Sequence, residues 1–151
     1  MAEKPKVAIG SDHAAVSVKA EVVAMLTAEL GYDVVDVGTD SAEKKVDYPD
    51  VAIGVCKLVQ AKEVTCGILF CGTGIGVSLA ANKMNGIRAA LCHDHFTATM
   101  ARQHNDANVL CAGARVVGPE VIKQMVQVFL ATPFEGGRHE ARVGKVMALE
   151  A

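Results

Sequence analysis

The sequence has neither a long apolar run nor a strong excess of one charge, although 51% of its 151 residues are hydrophobic. No segment reaches the ~18 uninterrupted apolar residues of a membrane span, and the first residues, MAEKPKVAIG, have no apolar stretch suited to a signal peptide. The 15 basic and 17 acidic residues give a formal net charge of -2, which provides no general attraction to nucleic acid or acidic membranes. We therefore expect a cytoplasmic protein that binds neither nucleic acid nor membranes.

The sequence also lacks a framework of paired cysteines. Its five cysteines are an odd number, lie mostly within apolar runs and show no paired C-x-x-C spacing. A reducing compartment suits them better than a disulfide scaffold does. The chain is long enough for one well-buried core and too short for two ordinary domains. We expect a single domain over residues 1–151.

Three motifs of common enzyme classes are missing. Glycines occupy positions 72, 74 and 76, but Val77 stands where the dinucleotide-binding pattern G-x-G-x-x-G needs its third glycine, so NAD binding is not expected. No G-x-x-x-x-G-K-[ST] motif supports phosphoryl transfer on a P-loop. Cys71 is followed by GTGIGVSL, without the arginine that would close the anion loop of a cysteine phosphatase.

Short apolar runs alternate with segments of helical periodicity along the whole chain. The predicted strands cover residues 6–10, 33–38, 67–70, 87–92 and 108–112, and the predicted helices cover 14–30, 50–62, 96–103, 118–130 and 138–149. A further helix takes its first turn from the glycine loop of residues 72–76. Strands that are apolar throughout and are each followed by a helix indicate a parallel sheet covered on both faces. The predicted fold is a single-domain, doubly wound, Rossmann-like α/β/α sandwich of about five strands, in which ligands bind beyond the carboxyl ends of the strands.

The stretch TCGILFCGTGIGVSLAANK, residues 65–83, carries the clearest chemical signal. It predicts a buried strand, a glycine turn and a helix that begins in that turn. Free amides at the helix start stabilise an anion, and the same field favours a thiolate at Cys71, so the loop could supply both a base or nucleophile and an oxyanion hole. The alternative is that Cys71 is a small buried hydrophobe, which is the interpretation that fits the other four cysteines.

Polar residues follow three other predicted strands. Asp12 and His13 could serve a site or could simply cap the next helix. His93 and His95 resemble a metal pair, but a solvated helix start explains them, and a structural zinc site needs further ligands, so no metal is expected. Arg115 follows the last strand.

Basic residues near the C-terminal end allow two interpretations. Arg138 and Arg142 lie four residues apart, on one face of the predicted last helix. They could be solvated surface residues, or they could form a phosphate clamp with Arg115 and a histidine. His104 ends a predicted helix, where the helix dipole favours an imidazolium and a surface role is equally acceptable.

Seven segments together closely resemble the type B ribose 5-phosphate isomerases, a group that includes the galactose 6-phosphate isomerase subunits. The segments are GSDHAA (10–15), DYPD (47–50), ILFCGTGIGVSLAANK (68–83), IRAALC (87–92), ARQHNDANVL (101–110), GARVVG (113–118) and FEGGRH (134–139). The resemblance implies an aldose–ketose isomerase without metal or cofactor that interconverts D-ribose 5-phosphate and D-ribulose 5-phosphate. It also implies a homodimer whose active sites are shared between subunits, with a tetramer as the alternative assembly.

The resemblance also assigns roles to individual residues. Cys71 matches the base that moves a proton between C2 and C1 through a cis-enediolate, and His104 matches the residue that opens the sugar ring. Asp12 matches a residue that contacts substrate hydroxyls. The amides of Gly72, Gly74 and Gly76 match the anion hole. The matches to phosphate ligands are His13, Arg115, Arg138 and Arg142. Three further residues match positions that line the site: Tyr48, Asn105 and Thr73, of which we group Thr73 with the catalytic residues. Some relatives have serine at the cysteine position and glutamate at position 77, so Cys71 and Val77 indicate the thiolate branch.

Two other functions are compatible with the same loop. One is an isomerase of six-carbon sugar phosphates, such as allose or galactose 6-phosphate, which would need only a different pocket depth between Cys71 and the arginines. The other is a sugar phosphate sensor without catalysis.

Overall fold

The structure, a computed structural model, describes residues 5–150, and five parallel strands form its centre. The strands are β1 (Lys6–Ser11), β2 (Asp33–Gly38), β3 (Cys66–Cys71), β4 (Ala89–Leu91) and β5 (Val109–Gly113), arranged in the order β2-β1-β3-β5-β4. Every strand pair is parallel. The prediction of a five-stranded, doubly wound α/β sandwich is confirmed.

Six α-helices connect the strands or follow them. They are α1 (Val16–Ala24), α2 (Tyr48–Gln60), α3 (Ile75–Asn82), α4 (His95–Gln103), α5 (Pro119–Ala131) and α6 (Arg138–Met147). None of the helices within residues 5–150 has the length and apolar character that crossing a membrane requires.

The first and second predicted helices differ in detail from the observed ones. The segment predicted as one helix, 14–30, consists of a 3₁₀ turn (His13–Ala15), α1 and a π-helical turn (Met25–Glu29). The π turn is closed by the Leu30 amide, which reaches back five residues to the Met25 carbonyl at 3.0 Å. Helix α2 begins two residues before the prediction, because a proline in the first helical turn needs no amide hydrogen.

Alternate residues of the buried strands point to opposite faces, so the sheet has a core on each side. On β3, Ile68 and Phe70 pack with α1, α4 and α5, whereas Leu69 and Cys71 pack with α2 and α3. All six residues of β3 are buried. This double coverage is the reason that the strand sequences lack polar alternation.

Two features of the topology position the site. The chain reverses its direction of travel across the sheet between β1 and β3, which leaves a crevice beyond the carboxyl ends of these two strands. Each of the helices α1 to α4 then runs back towards the amino ends of the strands, because the chain must enter the next parallel strand there. Residues at the start and at the end of one helix therefore lie at opposite edges of the sheet.

Candidate active site

The glycine loop after β3 holds the Cys71 sulfur against a backbone amide. Cys71 is the last residue of β3, and its Sγ accepts a hydrogen bond from the Gly74 amide at 3.2 Å. Gly74 has φ +80°, a conformation that glycine adopts without strain, and α3 starts at the next residue. This hydrogen bond is a geometry that suits an anionic sulfur, and the thiolate role of Cys71 stays a prediction.

The residues directly after β5 hold the glycine loop in place. The Ala114 amide donates to the Cys71 carbonyl and the Arg115 amide donates to the Gly72 carbonyl, each at 2.9 Å. A Cβ atom added to Gly113 would lie 2.4 Å from the Thr73 carbonyl carbon, so the loop rests directly on the end of β5. This contact needs glycine at position 113 and gives the loop little freedom to move.

The environment of the other four cysteines differs from that of Cys71. Burial raises the pKa of Cys56 and Cys92 to about 11 and that of Cys66 to about 12, and it raises the pKa of Cys111 well above its usual value. These four are therefore protonated core residues, as the sequence predicts. Cys71 is also buried, with 5% exposure, but it lies at the mouth of the glycine loop and receives the amide hydrogen bond.

Four further predicted site residues gather around this loop. The Asp12 amide donates to the Phe70 carbonyl at 3.3 Å, which places Asp12 beside the end of β3. The Tyr48 ring packs on Gly76, where an added Cβ would lie 2.6 Å from the ring. Arg115 packs beside Gly72, since an added Cβ there would lie 3.5 Å from its Cδ. Together with His13, on the 3₁₀ turn that follows Asp12, these residues and residues 71–76 form what we call the carboxyl-edge cluster.

Asp12 and His13 also have local structural roles. Asp12 Oδ1 accepts from the Ala14 amide at 3.0 Å and so caps the 3₁₀ turn, which is the role that its position predicts. His13 Nδ1 accepts from the Val46 amide at 3.4 Å. Because Nδ1 is then an acceptor, Nε2 of a neutral His13 carries the proton and can donate to an anion.

A second group of site residues lies at the opposite edge of the sheet. Helix α4 starts beside the carboxyl end of β4 and runs back, so that His104, directly after it, lies near the amino ends of the strands. Asn105 follows His104 and lines a cavity of about 760 Å³ together with Arg142. We call His104, Asn105, Arg138 and Arg142 the amino-edge cluster.

One chain does not bring the two clusters together. Cys71 pairs with Gly113 at the end of β5, whereas His104 and Asn105 precede Val109 at its start, so about 13 Å of strand separates the two levels at ~3.3 Å per residue. A single chain therefore forms neither a pair of Asp12 with His104 nor a clamp of Arg115 with Arg138 and Arg142.

Sequence reasoning missed two residues of the amino edge, Glu135 and His139. The imidazole rings of His104 and His139 stack with their centroids 4.2 Å apart and an interplanar angle of 14°. Glu135 Oε2 lies 3.9 Å from His104 Nε2. Gly136 and Gly137 have φ +71° and +57°, and this turn folds His139 back towards His104. The pair of glycines was the available signal in the sequence.

Ligand atoms of His104, Glu135 and His139 lie within 4.8 Å of one another, as a metal site would require. The two rings are nearly parallel, however, and the lone pairs of imidazole nitrogens lie in the ring planes. They therefore do not converge on one tetrahedral centre in this arrangement. At the other edge, His93 and His95 flank Asp94, which caps α4 in a capping box with Thr97.

We expect Gly74→Ala to lower turnover by about 10² to 10³-fold, the usual effect of losing one anion-stabilising donor. The new Cβ would lie 2.6 Å from Leu91 Cδ1 and 2.7 Å from the Ala112 carbonyl carbon, so the amide must move away from Cys71. Steady-state kinetics on protein of verified thermal stability measures the effect. Gly118→Ala is the matched control, because a Cβ there meets no atom within 4 Å. Equal activity of the two variants would show that the loop geometry is unimportant.

Comparisons with known proteins agree with this architecture. A family model described as Ribose/Galactose Isomerase matches residues 7–146. The chain is 49% identical over 145 residues to ribose-5-phosphate isomerase B of Escherichia coli, covering 96% of each chain. It is 47% identical to the putative sugar phosphate isomerase YwlF of Bacillus subtilis, covering 96% of this chain and 97% of that protein.

Solved structures agree equally well. Ribose-5-phosphate isomerase B of Clostridium thermocellum superposes with a TM-score of 0.92 at 46% identity, covering 95% of this chain and 96% of that one. The type B ribose 5-phosphate isomerase of Trypanosoma brucei gives 0.91 at 49% identity, covering 97% and 99%. Similarity of this extent in both sequence and fold shows that the chain belongs to the ribose/galactose isomerase family.

Proposed function

We propose that this protein interconverts D-ribose 5-phosphate and D-ribulose 5-phosphate. The observation that carries the proposal is the Cys71 sulfur at the end of β3, bound by the Gly74 amide at the start of a helix. The identity of the substrate is proposed from the relatives that bear the name ribose-5-phosphate isomerase B. In the proposed reaction, Cys71 removes the C2 proton of the open-chain aldose and returns it to C1, while the proton of the C2 hydroxyl moves to O1. The product is an isomer of the substrate, so no oxidant or reductant is consumed.

The amides at the start of α3 stabilise the enediolate between the two proton transfers. A sugar C–H is a weak acid, so its removal is fast only if the charge that develops on oxygen meets fixed donors. The first amides of a helix have no partner inside the helix and carry its positive dipole end. The Gly74 amide already faces the sulfur, and the amides of Gly72 and Gly76 are the donors that we assign to the enediolate oxygens.

We propose that two copies of the chain form a homodimer with shared active sites. The carboxyl-edge cluster of one copy would receive the amino-edge cluster of the other, which reunites Cys71 and Asp12 with His104 and joins Arg115 and His13 to Arg138 and Arg142. A two-fold axis makes two equivalent sites in this way. The exposed apolar side chains around the carboxyl-edge cluster support an interface there; they are Tyr48, Ile75, Leu79, Phe96 and Val116.

A heterodimer of two inactive variants tests the shared site. We expect a purified heterodimer of one Cys71→Ala chain and one His104→Asn chain, isolated through two different tags, to have about half the parent activity. One of its sites contains both substitutions, whereas the other combines an intact Cys71 with an intact His104. The two homodimers serve as controls and should each have about a hundredth of the parent activity or less on the ring form. If each site used only its own chain, the heterodimer would be no more active than the two homodimers.

Turnover of the parent enzyme tests the substrate. We expect efficient conversion of D-ribose 5-phosphate and weak conversion of D-allose 6-phosphate, measured as kcat/KM in parallel assays. Negligible activity on ribose 5-phosphate with good activity on the six-carbon substrate would overturn the proposal and favour the six-carbon alternative. Binding without turnover of either would identify a sensor.

We expect this reaction to take place in the cytoplasm, where free thiols remain reduced.

A further inference from the structure

His139 occupies an unusual position for a histidine. It is the only residue of α6 that is buried, with 6% exposure. Its Nε2 has no hydrogen-bond partner within residues 5–150. An apolar side chain would fill this position without burying an unsatisfied nitrogen, so helix packing alone does not explain the imidazole.

The contacts of His139 indicate that the imidazole is at this position because of its neighbour His104. The His139 ring covers one face of the His104 ring at a centroid distance of 4.2 Å. Glu135 lies beside the edge of His104, 3.9 Å from its Nε2. The Glu135 amide donates to the Gln103 carbonyl at 3.1 Å, so the loop that carries Glu135 and His139 is tied to the end of α4. His104 itself, with 38% of its side chain exposed, would be free to rotate without these neighbours.

We propose that His139 is a positioning residue for His104, and that its buried ring holds the His104 imidazole in the orientation needed to open the sugar ring. This inference rests on the proposed function, because it takes His104 as the ring-opening residue. His139 acts only through His104 and moves no proton itself.

The charges around the pair are consistent with this division of roles. Burial lowers the pKa of His139, and the positive charges of His104, Arg138 and Arg142 lower it further, while Glu135 opposes them. His139 is therefore neutral at neutral pH and presents an uncharged π face to His104. A cation next to an aromatic face is stabilised, so the stack tolerates the protonated state that His104 passes through during ring opening.

Two substitutions separate the stacking role from packing. We expect His139→Ala to lower kcat/KM for D-ribose 5-phosphate by about tenfold and His139→Phe, which keeps a stacked ring, to stay within about threefold of the parent. Lys145→Ala, at an exposed position of the same helix, is the control and should have parent activity. Thermal unfolding of each variant shows whether the fold is intact. Full activity of the alanine variant, or equal damage in both His139 variants, would overturn the proposal.

A double substitution shows whether His139 acts through His104. In a His104→Asn background, we expect His139→Ala to cause less than about a twofold further loss, because residues that act as one unit are not additive. A full additional tenfold loss would mean that His139 acts independently and would refute the proposal. If the parent itself does not turn over ribose 5-phosphate, the proposed function fails. If the parent and His104→Asn behave as expected and only the His139 variants do not, this inference alone fails.

Discussion

Cys71→Ala is expected to abolish isomerisation, with a loss of about 10⁴-fold, while substrate still binds. The substitution removes the only group that we assign to carry the proton between C2 and C1, and the glycine loop places that group 3.2 Å from the Gly74 amide. The phosphate ligands and the amides at the start of α3 are unchanged, so calorimetric binding of D-ribulose 5-phosphate should stay within a few-fold of the parent.

The matched control for this experiment is Cys92→Ala. Cys92 is equally buried and its pKa is raised to about 11 by desolvation, so it is a packing residue and its loss should leave kcat unchanged. Retention of more than about a tenth of the parent turnover in Cys71→Ala would mean that another group serves as the base. A sensor would differ again, because the parent protein would bind the sugar phosphate without converting it.

His104→Asn is expected to slow conversion of ring-form D-ribose 5-phosphate by about 10²-fold or more, the typical contribution of a general acid–base residue. The amide of asparagine keeps the polarity and approximate size of imidazole but does not exchange a proton near neutral pH. Proton exchange at C1 of D-ribulose 5-phosphate should change by less than about threefold, because this partial reaction needs Cys71 and not the ring-opening residue. Ribulose 5-phosphate is acyclic, since the hydroxyl that would close its ring carries the phosphate.

Solvent deuterium incorporation, followed by NMR, measures the exchange, and a coupled assay measures the ring form. His95→Asn is the control, because His95 is an exposed histidine at the other end of the same helix. Equal slowing of exchange and isomerisation in His104→Asn would remove the ring-opening role and leave His104 as a general binding residue.

The elements that depend on local sequence signals have nearly the bounds that the sequence predicts. Strand β2 was predicted with its observed bounds, and the last strand and α5 differ from prediction by one residue at each end. Gly31, directly after the predicted helix 14–30, ends the first helical segment with φ +73°. These features depend on apolar periodicity and on glycine conformation, both of which neighbouring residues determine.

Contacts between residues far apart in the sequence could not be predicted from it. Nothing in the sequence indicated that Lys19 is buried and bound to Asp36 Oδ1 at 2.7 Å and to the Thr39 carbonyl at 2.8 Å, which ties α1 to the end of β2. The stack of His139 on His104 joins residues 35 positions apart. Such pairs form because two elements pack at a particular angle, and the sequence pattern of either element alone does not specify that angle.

The sequence by itself determined the sheet, the strand-to-helix loop and the cysteine in it, because each of these follows from the order of neighbouring residues along the chain. Only the tertiary structure decided which candidate site residues share an edge of the sheet. It placed Cys71, Asp12 and Arg115 at the carboxyl ends of the strands and His104 and Arg142 towards the amino ends. The physical reason is that a helix between two parallel strands reverses direction to enter the next strand, so α4 carries His104 to the edge opposite its own start. Arg142, on the last helix, joins that edge because it lines the same cavity as Asn105.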